Sequence, residues 1–304
     1  MSIKRVQPSL RGLYGQAERV SKFNIVSAPP LAPHWRLVVT PPLTGAQNMA
    51  VDVALMARAR QTGEAVFRIY TWGVPTLSFG RNQTAFGRYD LDEIRARGLG
   101  VVRRPTGGRA ILHWREVTYS VTAPLREGVG LKPSYQRINQ ILLDGLRRLQ
   151  VPVEIAIPTE RALRPTDAPC FAAPSAGEMT TNGQKLVGSA QWREDGALLQ
   201  HGSILIEDDQ TVLASLVIQP ALVEATVGTR FPALTTIPRS IPQVGTLRDV
   251  LGRAPEVLEV ATAMFDAVQG IEDPDATHLD SAAVVQVGES AVQQFLDDQW
   301  TWRR

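Results

Sequence analysis

The sequence predicts a mixed α/β chain, and three observations carry that expectation. Short runs rich in β-branched and aromatic residues, such as AVFRIYTW and ALLQHGSILIEDD, alternate with stretches whose apolar residues recur at helical intervals. Gly-bearing turn signals, Gly107-Gly108 and Asp195-Gly196, lie between neighbouring strand candidates, so hairpins join part of the sheet. With 44% hydrophobic and 20% charged residues among 304, the chain can bury one large core.

Residues 1–33 are polar, become Pro-rich toward APPLAPHW, and read as an N-terminal extension. WRLVVT, from Trp35, is a short strand that stops before Pro41-Pro42. From Asn48, NMAVDVALMARARQTG sets Met49, Val53 and Met56 on one face of a helix ending near Gly63. AVFRIYTW and PTLSFGRNQ follow as strands. YDLDEIRARGLG is a short helix with Leu91 and Ile94 on one face, closed by Gly98 or Gly100.

Residues 101–124 (VVRRPTGGRAILHWREVTYSVTAP) read as two strands around the Gly-Gly pair. In the second, Tyr119 and Val121 share a face and Ser120 takes the other. SYQRINQILLDGLRRLQ is helical, with Tyr135, Ile138, Leu142 and Leu149 on one side and Arg147 and Arg148 near its C-terminus. VEIAIP is a strand, and QKLVGSAQWRE with ALLQHGSILIEDD forms a hairpin. Beyond about residue 220 the chain is Pro/Gly-punctuated, then helical in PEVLEVATAMFDAVQG and GESAVQQFLDDQW. The expected organisation is an extension (1–33), a core (34–225) and a C-terminal helical segment (226–304) packed on or appended to it.

Composition removes several function classes. The 32 basic and 30 acidic side chains leave a formal charge of +2, so nothing points to a nucleic-acid or membrane partner. A single cysteine excludes an intrachain disulfide and a thiolate metal cluster. His34, His113, His201 and His278 lack metal-ligand spacing, and no dinucleotide or P-loop fingerprint is present. No apolar run is long enough to span a bilayer, and no export signal follows Lys4 and Arg5. The expected location is the cytoplasm, where a thiol stays reduced.

Chemistry concentrates in PCFAAPSAGEMTTNGQKLVGSA, residues 169–190. Cys170 reads either as a small buried hydrophobe or, given its turn-rich surroundings, as a nucleophile. Lys185 is either a solvated lysine after an Asn-Gly turn or a point charge that holds a carbonyl or phosphate oxygen. The second reading rests on the small Gly188, Ser189 and Ala190, which let a ligand approach the backbone. In RRPTGGRA, the Gly107 and Gly108 amides could face an anion between Arg104 and Arg109. His201 of HGSI is either a satisfied polar residue of the sheet or a donor that orients a ligand.

Together these segments resemble the lipoate–protein ligase A/octanoyltransferase family. RRPTGGRAILHWREVTYS resembles its Arg-Arg-x-Thr-Gly-Gly signature with the following histidine, and NGQKLVGSAQWRE with LLQHGSILI resembles its lysine and His-Gly-Ser/Thr segments. NMAVDVALM, PTLSFGRNQ and the closing QFLDDQWTW are similar to further landmarks. The resemblance implies a biotin/lipoate-protein-ligase-like α/β (α+β) catalytic domain with mixed, mainly antiparallel sheets flanked by helices. APCFAAPSAGE, and Arg109 in place of a third glycine, look like the cysteine-dependent octanoyltransferase branch. By that likeness Cys170 and Lys185 are catalytic, and substrate is bound by Arg104, Thr106, Gly107, Gly108, Arg109, His113, Gly188, Ser189, Ala190, His201 and Gly202. The donor it implies is octanoyl-acyl carrier protein, and the acceptor a lysine of lipoyl domains or of the glycine-cleavage H protein. No cofactor or metal is implied. ATP and Mg2+ enter only if the chain is instead an ATP-dependent lipoate ligase. The family likeness also admits an amidotransferase acting between lipoyl domains, and the fold a non-catalytic acyl- or carrier-binding module.

Overall fold

The computed structural model describes residues 30–125, 130–156, 177–218 and 243–304. In chain order the elements are β1 (Trp35–Val39), α1 (Gly45–Thr62), β2 (Ala65–Tyr70), β3 (Thr76–Phe79), α2 (Leu91–Ala96), β4 (Gly100–Arg103), β5 (Ile111–His113) and β6 (Glu116–Pro124). Then come α3 (Leu131–Arg148), β7 (Glu154–Ile155), β8 (Met179–Thr181), β9 (Gln184–Glu194), β10 (Ala197–Leu205) and α4 (Gln210–Ser215). The last part holds α5 (Leu247–Leu251), α6 (Val257–Ile271), β11 (Thr277–His278), α7 (Ser281–Gly288), α8 (Val292–Leu296) and α9 (Asp298–Thr301).

Among the described residues, eight strands form one sheet in the order β11-β1-β2-β6-β10-β9-β8-β7. Its β11-β1-β2 edge is parallel and every later pair is antiparallel. A second sheet of three strands runs β4-β3-β5. The mixed, mainly antiparallel α/β architecture is the expected one.

Alternation along the large sheet sorts side chains to its two faces. Leu37, Phe67, Ile69, Tyr119 and Val121 pack with Ile138 and Leu142 of α3 and Met264 of α6 in the main core. Val38 and Val66 face the opposite way, against Val51 and Leu55 of α1 and Val284 of α7. Ser120 points to that side, as its place between Tyr119 and Val121 requires. Helix α1 is therefore covered on several sides, with Met49 and Met56 buried and Val53 only partly so. It starts at Gly45, three residues before the expected Asn48, because Thr44 and Gln47 form a reciprocal capping box.

Four local expectations are corrected. Residues 101–124 hold three strands rather than two, and β4 and β5 flank β3 without pairing with each other. The Gly107-Gly108 stretch is a loop rather than a hairpin turn. It wraps the Arg104 guanidinium, which donates to the carbonyls of Gly107 (2.9 Å) and Arg109 (2.8 Å). In the six-residue α2 only Ile94 is buried, and Leu91 is 39% exposed. The stretch after Gly288 is a 3-10 turn and two short helices, because Asp297 stops α8 and caps α9 through the Gln299 N–H (2.8 Å). Between α3 and α6 the backbones meet at Gly145, where a Cβ would lie 2.5 Å from Met264 Sδ and 3.2 Å from its Cα.

Gly145→Val is expected to lower the unfolding free energy by about 1–3 kcal/mol through overpacking. Urea denaturation of this variant, Met264→Ala and the double variant measures it. Strictly additive effects would exclude the contact as the cause.

Candidate active site

The site begins where two strands carry almost no side chain. On β9, Gly188, Ser189 and Ala190 pair with Ser203, Gly202 and His201 of β10. Only glycine fits at 202, since a Cβ there would stand 2.3 Å from the Gly188 carbonyl oxygen and 2.8 Å from the Tyr119 ring. Against these strands lies a cavity of about 210 Å3. One wall is the large sheet, with Thr118 of β6, Gly188–Ala190 and His201–Ser203. The other comes from the small sheet and its loop, through Arg104, Gly108, Arg109 and His113, and Met49, Tyr70 and Trp72 add apolar surface.

Lys185 enters β9 after the Asn182-Gly183 turn, whose two residues take left-handed φ values of 49° and 76°. Its side chain is buried, and Nζ donates to Glu178 Oε1 at 2.7 Å. The reading of Lys185 as a solvated surface lysine therefore fails. Glu178 lines the cavity, so the ion pair sits at its wall. Cys170 lies outside the described residues.

His201 stands in a network in which every polar atom is used. Its Nε2 lies 2.7 Å from the Thr106 hydroxyl and its Nδ1 3.0 Å from Asp52 Oδ2. The other carboxylate oxygen accepts from Arg68 and from the Ser120 hydroxyl, both at 2.8 Å. Burial pushes the His201 imidazole below its ordinary value, although Asp52 pulls the other way. Burial opposes the charge on Asp52, but the His201 hydrogen bond and the Arg68 cation outweigh it and hold the carboxyl low. The pair is a carboxylate and a neutral imidazole that donates from Nδ1 and accepts from Thr106 at Nε2.

His113 ends β5 and Glu116 begins β6, so a tight turn brings them together across the junction of the two sheets. Nδ1 of His113 lies 2.7 Å from Glu116 Oε1, which also accepts from the hydroxyls of Thr118 (2.6 Å) and Ser203 (2.8 Å). Trp72 stacks on the imidazole, centroids 3.9 Å apart and planes 11° from parallel, and donates its indole N–H to Thr118.

Of the residues expected at the site, Arg104, Gly108, Arg109, His113, Gly188, Ser189, Ala190, His201 and Gly202 line one cavity. Thr106 reaches it through His201, Lys185 through Glu178, and Gly107 through its carbonyl's bond to Arg104. Sequence reasoning missed Asp52, Arg68, Trp72, Glu116 and Glu178. The signals were available: charges inside the apolar runs NMAVDVALM and AVFRIY, and carboxylates three residues after His113 and seven before Lys185.

Comparison with known proteins agrees on one family. The lipoyl protein ligase A/B catalytic domain matches residues 44–269. The chain is 36% identical over 287 residues to the octanoyltransferase LipM of Kyrpidia tusciae, a match covering 89% of this chain and 99% of that one. Among solved structures, lipoate-protein ligase A bound with ATP aligns with a TM-score of 0.67 at 17% identity, covering 89% of this chain and 98% of the other. The bipartite lipoate protein ligase of Thermoplasma acidophilum, described with its E2 lipoyl domain, gives 0.64 at 18% identity over 89% and 96% of the two chains. At such identities the likeness to these structures is one of fold.

The His201 network makes the fold sensitive to acid. The unfolded chain protonates histidine near 6.5, whereas the folded His201 resists it, so stability falls as pH drops below that value. Asp52, also held low, adds a further loss only once pH falls through its own range below 3.8. Urea midpoints should decline from pH 7 to pH 5 in the native protein and less steeply in His201→Gln. Equal slopes would place the acid sensitivity elsewhere.

Proposed function

The chain belongs to the lipoyl protein ligase A/B catalytic-domain family and is an octanoyltransferase, and on that basis we propose a transfer in two steps through Cys170. The Cys170 thiolate attacks the thioester of octanoyl-acyl carrier protein, and the C–S bond to the carrier breaks. The carrier thiol leaves, and an octanoyl-enzyme remains. A lysine amine of a lipoyl domain, or of the glycine-cleavage H protein, then attacks the new thioester and leaves as the octanoyl amide. One thioester replaces another in the first step, so no nucleotide is spent.

The observation that carries this reading is the buried Lys185–Glu178 pair at the wall of a cavity whose floor is nearly free of side chains. Lys185 is a fixed cation that can stabilise the oxyanion of both tetrahedral intermediates together with backbone N–H groups. Met49, Tyr70 and Trp72 offer the octanoyl chain apolar surface, worth about 0.8 kcal/mol for each methylene buried. The lipoyl-domain acceptor is supported by the fold shared with the Thermoplasma ligase. Among the described residues no helix is long and apolar enough to cross a membrane. We place the enzyme in the cytoplasm, where Cys170 stays reduced.

Incubation with octanoyl-acyl carrier protein should give an octanoyl adduct by intact mass, labile to thiols and absent in Cys170→Ala. An adduct that persists in Cys170→Ala would overturn the covalent route. Lipoyl-AMP formed from free lipoate and ATP would instead favour an ATP-dependent ligase, and better transfer from octanoylated H protein than from the carrier would favour amidotransfer.

Lys185→Met combined with Glu178→Gln, which leaves no carboxylate buried alone, should slow adduct formation about 10²–10³-fold. A stopped-flow rate within a few-fold of native would remove Lys185 from the oxyanion role.

A further inference from the structure

The two buried histidines of the cavity are wired differently, and the difference assigns a task. His201 has both ring nitrogens engaged. His113 has one. Its Nδ1 faces the Glu116 carboxylate, an acceptor only, so the proton sits on Nδ1 and Nε2 carries a lone pair. That Nε2 is buried and has no hydrogen-bond partner among the described residues, while the residue lines the cavity. A buried imidazole nitrogen without a partner is costly unless a ligand completes it.

The surroundings suit an imidazole that takes up a proton. Glu116 at 2.7 Å would face the imidazolium, and the Trp72 ring lies flat against it at 3.9 Å. Ser203 and Thr118 hold Glu116 in place from two further strand positions, so the ring can neither turn nor change tautomer cheaply. This is the arrangement of a general base oriented by a carboxylate.

We propose that His113 is the catalytic base for the second half-reaction, accepting a proton at Nε2 from the amine of the acceptor lysine. The inference rests on the octanoyl-enzyme reading above. The amine enters neutral; as its nitrogen bonds to the acyl carbon it becomes cationic, and His113 removes one proton. The C–S bond then breaks with its electron pair on the Cys170 sulfur, and the imidazolium passes its proton to solvent, where the released carrier thiolate takes one up. The products are an amide and the Cys170 thiolate, with His113 and Glu116 restored. Attack of the Cys170 thiolate on the donor needs no such base, so the two half-reactions depend on His113 unequally.

The test separates them. Octanoyl-enzyme is formed from octanoyl-acyl carrier protein, and its loss on adding a lipoyl domain is followed by intact mass from pH 5.5 to 9. Native enzyme should show a rate that rises with pH for two reasons, because the acceptor amine must be neutral and because the base must be unprotonated. In His113→Gln aminolysis should fall about 10²–10⁴-fold and keep only the dependence on the neutral amine, while adduct formation stays within a few-fold of native. Glu116→Gln, which reorients the imidazole proton, should slow the same step and not the first. Aminolysis at the native rate and with the native pH profile in His113→Gln would overturn the assignment. Equal loss in both half-reactions with a lowered melting temperature would do so too, by making His113 structural. Native protein that forms no adduct at all would overturn the octanoyl-enzyme reading and the inference with it.

Discussion

The fold turns on one ion pair placed where water does not reach. Asp52 of α1 and Arg68 of β2 are both fully buried and meet at 2.8 Å. Removing two charges from water is favourable only if every remaining valence is filled. Here it is: Arg68 also donates to the Thr40 hydroxyl and to the carbonyl and side-chain oxygen of Asn48, and Asp52 accepts from Ser120, Tyr70 and His201. A buried pair of this kind contributes position more than stability. Helix α1 can neither slide nor roll on the sheet without leaving a charge unpaired. Through His201 the same constraint reaches Thr106, and with it the loop that closes the cavity.

The cavity thus has a rigid side and a chemically open side. On the rigid side each polar atom of His201 has a fixed partner, and the imidazole stays neutral. On the open side the proposed base, His113, and the proposed cation, Lys185 through its partner Glu178, meet at the wall of one cavity. Acyl transfer needs both functions at different moments, the cation whenever charge builds on oxygen and the base only when an amine attacks. Keeping them on separate strands lets each be oriented by its own carboxylate.

What the sequence revealed follows from the range of the forces involved. The β9–β10 hairpin was legible because Asp195 and Gly196 take left-handed φ values that few residues accept, and its register then follows by counting. Helix α1 was legible from its periodicity and its Gly63 cap. The parallel pairing of β1 with β2 and β11 was not, since nothing local reports which distant strand lies beside another. The Gly107-Gly108 loop was misread as a hairpin because the guanidinium that organises it is itself part of the motif. At the site, the likeness to the family's motifs pointed to Lys185, His113 and His201. Their carboxylate partners went unnoticed, because Asp52 and Glu116 look like ordinary polar residues until the fold brings them in. Cys170 belongs to a segment outside the described residues, so its place rests on the family likeness.

The two walls of the cavity belong to different sheets. Lys185 and the small-residue strands ride on the large sheet, while Arg104, Gly108, Arg109 and His113 ride on the small one, joined to it at the Trp114-Arg115 turn. The gap between them is therefore an adjustable dimension. Substitutions in the small sheet's own core, around Leu77 and Phe79, would tilt one wall and leave the Asp52–Arg68 anchor untouched. A protein built this way can change the length of chain it accepts without rebuilding the chemistry that acts on it.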